Sequence, residues 1–277
     1  MPELPEVEIV ARSLDQIGRE RKIVAATLLR QRLAPDITPA RFSRSLQGSS
    51  INFVHRRGKH ILFDLDNGRT LITHLRMSGK FMLLDDDSAD PKFTHAVFHF
   101  TDGARLVFQD QRHFGLMKIV KTSELNEAKE IKKLAPEPLG DGFSVEYLRS
   151  TLRQSKRTLK EVLLDQTKVC GLGNIYASEA MFLARANPRM RAFKLTKPKT
   201  ASLFENIRLV LSEAVELGSS LPVVPSNIGG SIYGSASDWE WRVYDRENEP
   251  CVTCASPIKR IVQGGRSTYF CASCQRR

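Results

Sequence analysis

Apolar positions recur at helical spacing near the start of the chain. Val7, Val10, Ala11, Leu14 and Ile17 share one face, and Gly18 follows as a stop signal, which predicts an N-terminal helix. From residue 22 to about 121 the period shortens to brief runs, several of which alternate apolar and polar residues. The runs at 22–30, 51–56, 60–65, 70–76, 80–84, 94–100, 104–109 and 116–121 read as strands, with Asn67-Gly68 and Asp102-Gly103 at hairpin turns. Together they predict a β-sandwich. Ala135-Pro136-Glu137-Pro138-Leu139-Gly140-Asp141-Gly142 breaks the pattern and marks a domain boundary. Beyond it, helical periodicity predicts helices at about 144–153, 157–165, 174–185 and 197–217, and the stretch 218–238, rich in Gly, Ser and Pro, reads as a long loop.

Length and charge narrow the function. A chain of 277 residues is long enough for two cores, and its 42 Lys and Arg against 31 Asp and Glu give a formal net charge of +11. That excess favours a polyanionic partner. No apolar run reaches the ~18 residues needed to cross a bilayer, and acids stand where a signal peptide would carry basic and apolar segments, so a cytoplasmic protein is expected. In that compartment cysteines favour metal or free thiols over disulfides. Cys251-x-x-Cys254 and Cys271-x-x-Cys274, with sixteen residues between the pairs, have the spacing of a closed tetrahedral site for one zinc ion. A closed site leaves no position for substrate, so the metal is expected to be structural. Lys259, Arg260, Arg266, Arg276 and Arg277 make the finger basic, and Cys170 reads as a small buried residue.

The chemistry-bearing stretch is the chain terminus. Pro2 permits removal of Met1, which would leave a secondary amine flanked by Glu3 and Glu6. An α-amino group has a pKa near ~7.7 against ~10.4 for lysine, so it is far more often neutral at pH 7. A neutral amine attacks the C1′ of a sugar to form a Schiff base, and Glu3 and Glu6 would move the protons. Pro5 and the glutamates are equally what an ordinary helix start requires, and the two readings are compatible. Further along, Gly171-Leu172-Gly173 turns into a helix at Asn174, presenting free amides to a phosphate, with Lys156, Arg157, Lys160 and Lys168 upstream. Arg56-Arg57-Gly58-Lys59-His60 places cations at a strand start. His74-Leu75-Arg76-Met77-Ser78-Gly79 and Asp110-Gln111-Arg112-His113-Phe114-Gly115 each set a bulky residue beside a cation before a glycine. Such wedges enter base stacks and hold open the gap left by a flipped nucleotide, although composition alone makes Met77 and Phe114 core residues.

The opening MPELPEVE, then RRGKH, HLRMSG, DQRHFG and GLGNIYASE in that order, followed by the four-cysteine finger, resemble the formamidopyrimidine-DNA glycosylase family over nearly the whole chain. The resemblance implies an α+β, two-domain DNA repair enzyme. Residues 1–134 would form a catalytic β-sandwich domain with a flanking helix, 135–242 a helical helix-two-turn-helix domain, and 243–277 a zinc finger. It also implies a bifunctional glycosylase and lyase for oxidised purines. In it Pro2 is the Schiff-base nucleophile, Glu3 the proton donor, Lys59 the acid in β-elimination and Arg266 the aid to δ-elimination. Met77, Arg112 and Phe114 would fill the vacated space, and Asn174, Arg157 and Lys59 would contact the backbone. The implied partner is double-stranded DNA with oxidised bases or abasic sites, bound by a monomer at the bacterial nucleoid.

Several positions depart from the family pattern. His113 stands where many relatives have a second arginine, and Phe93 where a DNA-contacting histidine is often found, though His95 lies close; Phe93 and His95 are both expected to contact DNA. The loop 221–239 carries Pro222 and Pro225 and lacks the usual basic start. Asp245 and Asn248 occupy two usual glycine positions, which both residue types tolerate in left-handed conformation. A preference for oxidised pyrimidines, as in the related endonuclease VIII branch, is opposed by Leu4-Pro5-Glu6-Val7-Glu8 and the Arg112/Phe114 pair. A DNA-binding protein without activity is opposed by the intact set Pro2, Glu3 and Lys59.

Overall fold

The computed structural model describes residues 1–85, 87–219, 224–228 and 241–276. The chain divides into two compact units, Met1–Lys132 with Leu217–Ala236 and Lys133–Glu216 with Ser237–Arg277. In the first unit, helix α1 (Leu4–Gly18) buries Val7, Val10, Ala11 and Leu14, the face expected from their spacing. Pro5 lies in the first turn, where its missing N–H costs nothing, and the Glu6 carboxylate accepts the Glu3 N–H at 2.7 Å. An Arg56–Glu8 ion pair at 2.7 Å and a bond from the Val54 N–H to Asp15 Oδ1 at 2.8 Å fasten α1 to strand β2 (Ile51–Arg57).

Eight strands follow the expected runs to within a residue or two and form two four-stranded antiparallel sheets. One sheet orders β1 (Ile23–Leu28), β6 (Thr94–Phe100), β7 (Arg105–Asp110) and β5 (Gly79–Leu84); the other orders β2, β3 (His60–Leu65), β4 (Arg69–His74) and β8 (Leu116–Lys121). Their inner faces share one core, in which Phe63 of β3 meets Phe81 of β5 at 5.5 Å and Phe81 meets Phe108 of β7 at 5.1 Å between ring centroids. Helix α2 (Pro39–Leu46) was not anticipated. Its signal lies in Thr38-Pro39, because the Thr38 hydroxyl accepts the Arg41 N–H and Pro39 opens the helix.

The second unit contains α3 (Val145–Arg153), α4 (Leu159–Leu163), α5 (Asn174–Leu183) and α6 (Lys197–Ser219), followed by a hairpin of β9 (Ile258–Gln263) and β10 (Arg266–Cys271). Helix α4 is shorter than the expected 157–165. It is set by Thr158 as N-cap, whose N–H donates to the Glu161 carboxylate at 2.9 Å. The finger does not stand apart but groups with the helices. Buried Glu179 of α5 accepts the N–H groups of Arg242, Val243 and Tyr244 at 2.9, 2.9 and 3.0 Å. The segment around Ile228 groups with the β unit, where Ile228 enters the core and bridges Phe81, whereas the sequence reading puts it in the helical domain. Most of the loop expected over 218–238 lies outside the described residues. Among those described, no helix is long and apolar enough to cross a membrane.

His60 and His74 meet edge-on at 4.7 Å inside the first unit. Burial, with the Arg76 guanidinium adding to it, pushes His60 down to about 4, and burial lowers His74 as well. Both rings are therefore neutral when folded but bind protons below pH ~6.5 when unfolded, so stability is full above that value and falls with pH towards 4. The slope approaches about 1.4 kcal/mol per pH unit per histidine. Urea unfolding of the wild type and of His60→Phe from pH 7 to 4.5 should give a flatter profile for the variant; parallel profiles would exclude His60 as a source of the slope.

Candidate active site and DNA interface

The start of α1 carries the terminus into the first unit. Pro2 is buried, Glu3 is 3% exposed, Glu6 8% and Lys59 5%. Burial lowers the terminal amine below its ordinary value, Glu3 and Glu6 oppose this, and Lys59 and Arg112 reinforce it. In the structure that amine belongs to Met1; loss of Met1 would hand its role to the Pro2 nitrogen in the same surroundings. Lys59 is delivered by local geometry. Arg57 pairs with His60, so Gly58-Lys59 is a two-residue hairpin turn, and Gly58 at φ 59° takes the position where such a turn needs glycine. Glu6 uses one carboxylate oxygen to cap the helix, and so acts on Glu3 as well as on the amine.

The wedge residues lie on two loops of the same unit. Met77 is 43% and Phe114 47% exposed, which corrects the composition-only reading of both as core. The Arg112 guanidinium lies over the Phe114 ring at 5.3 Å. Phe93 takes φ 67° and His113 φ 60°, their rings meeting edge-on at 5.7 Å. His95 is 3% exposed and its Nε2 is 2.9 Å from His113 Nδ1, so it supports His113 from beneath instead of presenting itself at the surface.

In the second unit, Arg157 is exposed and pairs with Asp165 at 2.7 Å. Gln166 shapes the turn before α5 by accepting the Gly171 N–H and donating to the Leu172 carbonyl, both at 2.9 Å, with Gly171 at φ 73°. Asn174 therefore opens a ten-residue helix, whose N-terminal end favours negative charge. Arg266 is exposed at the tip of the finger hairpin, beside Gly264-Gly265. Buried Lys160 holds that hairpin through the Ser267 carbonyl at 2.8 Å. Asp245 and Asn248 adopt φ 59° and 68°, the left-handed conformation expected of them. Sequence reasoning gave no role to Glu179, Ser78 or Asp110, because each acts by accepting or relaying backbone hydrogen bonds that no local pattern announces.

The four cysteine sulfurs lie within 4.8 Å of one another, with Cys251–Cys274 at 3.9 Å and Cys254–Cys271 at 3.5 Å. Zinc–sulfur bonds of ~2.3 Å in a tetrahedron require sulfurs ~3.8 Å apart, so the set fits one structural zinc ion.

A half-buried amine beside two buried carboxylates and a buried lysine, in a chain that also carries a helical unit and a basic four-cysteine finger, is the arrangement of a DNA glycosylase. Residues 1–117 match the formamidopyrimidine-DNA glycosylase N-terminal domain, 134–223 its H2TH domain and 248–277 a zinc finger found in FPG and IleRS. Formamidopyrimidine-DNA glycosylases of Bacillus licheniformis and Dinoroseobacter shibae are 42% and 41% identical over the full length of both chains. The Lactococcus lactis enzyme bound to DNA containing N7-benzyl-Fapy-dG superimposes with a TM-score of 0.91 at 33% identity, covering all of both chains. The chain belongs to the formamidopyrimidine-DNA glycosylase family.

Because the finger's fold depends on the metal while the β unit has its own core, chelation of zinc should abolish DNA binding and leave the β unit folded. Parallel mobility-shift and near-ultraviolet dichroism measurements test this, and undiminished affinity after demonstrated zinc loss would refute it. If roughly six phosphates are neutralised, affinity should fall on the order of 10³ between 50 and 200 mM salt, and a nearly flat titration would exclude a basic DNA face.

Proposed function

We propose that the protein excises oxidised purines from duplex DNA and then cleaves the strand at the vacated sugar, with the Pro2 amine as nucleophile. The observation that carries this reading is the half-buried terminal amine, which its surroundings hold towards the neutral form beside buried Glu3, Glu6 and Lys59. The amine attacks C1′ as the bond from C1′ to the base breaks, and Glu3 supplies the proton that lets the base depart. The C1′–O4′ bond then opens, O4′ taking up a proton and the amine giving up its own, and the resulting iminium acidifies the C2′ proton. Its loss expels the 3′ phosphate, with Lys59 as the acid of this β-elimination, and Arg266 assists the second, δ-elimination. Arg157, Asn174 and Lys59 hold the backbone, while Met77, Arg112 and Phe114 occupy the gap. Solved complexes of the Lactococcus lactis relative with abasic-site DNA and with a Fapy-dG derivative support this substrate class. Work on damaged DNA would place the protein at the bacterial nucleoid.

The decisive experiment is borohydride trapping, which reduces the imine to a stable crosslink. An abasic duplex should trap efficiently, formamidopyrimidine duplexes should be processed readily, and Pro2→Thr should trap nothing. Glu3→Gln should impair base release far more than cleavage at a preformed abasic site, which has no base to protonate. A duplex with an oxidised pyrimidine belongs in the panel, since the Lactococcus lactis relative has been solved with such DNA. If no duplex traps with Met1 absent and zinc present, a binding protein without activity replaces this reading. If the surroundings that lower the Met1 amine act equally on the Pro2 nitrogen, the trapping rate should rise with pH as that nitrogen loses its proton and level off below the ~7.7 of an ordinary α-amine. A rising limb centred above ~8 would contradict an amine lowered by its surroundings.

A further inference from the structure

The two wedge loops leave different strands but rest on one floor. The first joins β4 to β5 and carries Met77; the second joins β7 to β8 and carries Arg112 and Phe114. Asp110, the last residue of β7 and the register partner of Gly79, is completely buried. Its Oδ1 accepts the Ser78 hydroxyl at 2.5 Å and the Arg112 N–H at 3.2 Å, and its Oδ2 accepts the Gly115 N–H at 2.7 Å. The Ser78 oxygen, while donating to Asp110, accepts the Arg112 N–H at 3.0 Å. A serine in one loop and an arginine amide in the other are thus bonded to each other and to the same carboxylate.

The closing glycines obey the same constraint. A Cβ on Gly79 would stand 2.5 Å from the Leu75 carbonyl and 2.8 Å from Phe108 Cζ, and a Cβ on Gly115 would stand 2.8 Å from that same ring carbon. Phe108 and Asp110, two residues apart on one face of β7, form the surface against which both loops are pressed. Arg76 at φ 56° and His113 at φ 60°, one in each loop, are left-handed, a conformation uncommon outside glycine.

We infer that Asp110 and Ser78 are positioning residues that lock Met77, Arg112 and Phe114 into one rigid wedge, which enters the base stack as a unit. This rests on the function proposed above. A buried carboxylate makes the lock because it offers acceptors only, and all three of its partners donate. Asn at this position would turn N–H groups towards N–H groups. Without the lock, the two loops would have to be ordered at the moment of base extrusion, and that ordering cost would slow this step.

The test compares wild type, Ser78→Ala, Ser78→Thr and Asp110→Asn on a formamidopyrimidine duplex with 2-aminopurine beside the lesion, and on the same lesion within an unpaired bubble. On the paired duplex, S78A and D110N should slow both the fluorescence rise and single-turnover base release about tenfold, while S78T, which keeps the hydroxyl, should stay near wild type. The bubble, already unstacked, should bring both slow variants within about threefold of wild type. Equal slowing on both substrates, or no slowing on the paired duplex, overturns the inference. Melting curves accompany each variant, and should D110N not fold, the S78A and S78T pair decides alone, Ser78 being only partly buried. A wild type that fails to trap on an abasic duplex sinks the proposed function and this inference with it; a trapping wild type matched by S78A sinks the inference alone.

Discussion

Holding a chain terminus half out of water, against buried Glu3, Glu6 and Lys59, is the constraint on which the first unit depends. An ammonium resists burial, so the amine is pushed towards its neutral form, and the glutamates around it limit how far that goes. Holding the terminus there requires a helix that starts at the fourth residue and is fastened along its length. The buried stripe from Val7 to Leu14 and the Arg56–Glu8 and Val54–Asp15 contacts supply this. The same strand β2 that receives α1 turns at Gly58 to deliver Lys59. The terminal amine and the lysine are thus positioned by two ends of one packing arrangement.

Each unit then uses one buried carboxylate to organise irregular backbone. Asp110 gathers the wedge loops of the β unit, and Glu179 gathers the segment from Arg242 to Tyr244 that leads into the finger. A carboxylate is costly to bury unless its lone pairs are filled, and three backbone or hydroxyl donors fill them in both cases. Irregular loops cannot rely on sheet or helix ladders for shape. Interior anions provide the shape instead, and leave the outward side chains free.

The positions expected to depart from the family pattern are accommodated by their local geometry. Asp245 and Asn248 take up left-handed conformations, and Asp245 adds a bond from the Tyr269 hydroxyl at 2.9 Å that glycine could not accept. His113 is likewise left-handed and gains a histidine beneath it. Phe93 brings an edge-on ring contact to His113 and a Lys92 ammonium at 5.1 Å over its own ring.

The amino-acid sequence by itself determined the elements whose causes are local. The period of α1, the alternation of the eight strands, the glycine turns at Asn67-Gly68 and Asp102-Gly103, and the four-cysteine spacing all depend on neighbours within a few residues. It also placed Pro2, Glu3 and Lys59 in recognisable motifs. Tertiary structure alone decided what those motifs face. Met77 and Phe114 have core-like side chains, and only the shared floor beneath their loops turns them outward. His95 looks like a surface contact, yet the ring of His113, eighteen residues away, covers it. Ser78 with Asp110, and Glu179 with residues near 243, bond across 32 and about 64 residues of chain. Hydrogen bonds of that span follow from how the sheets and helices pack, and nothing in the local order of residues encodes them.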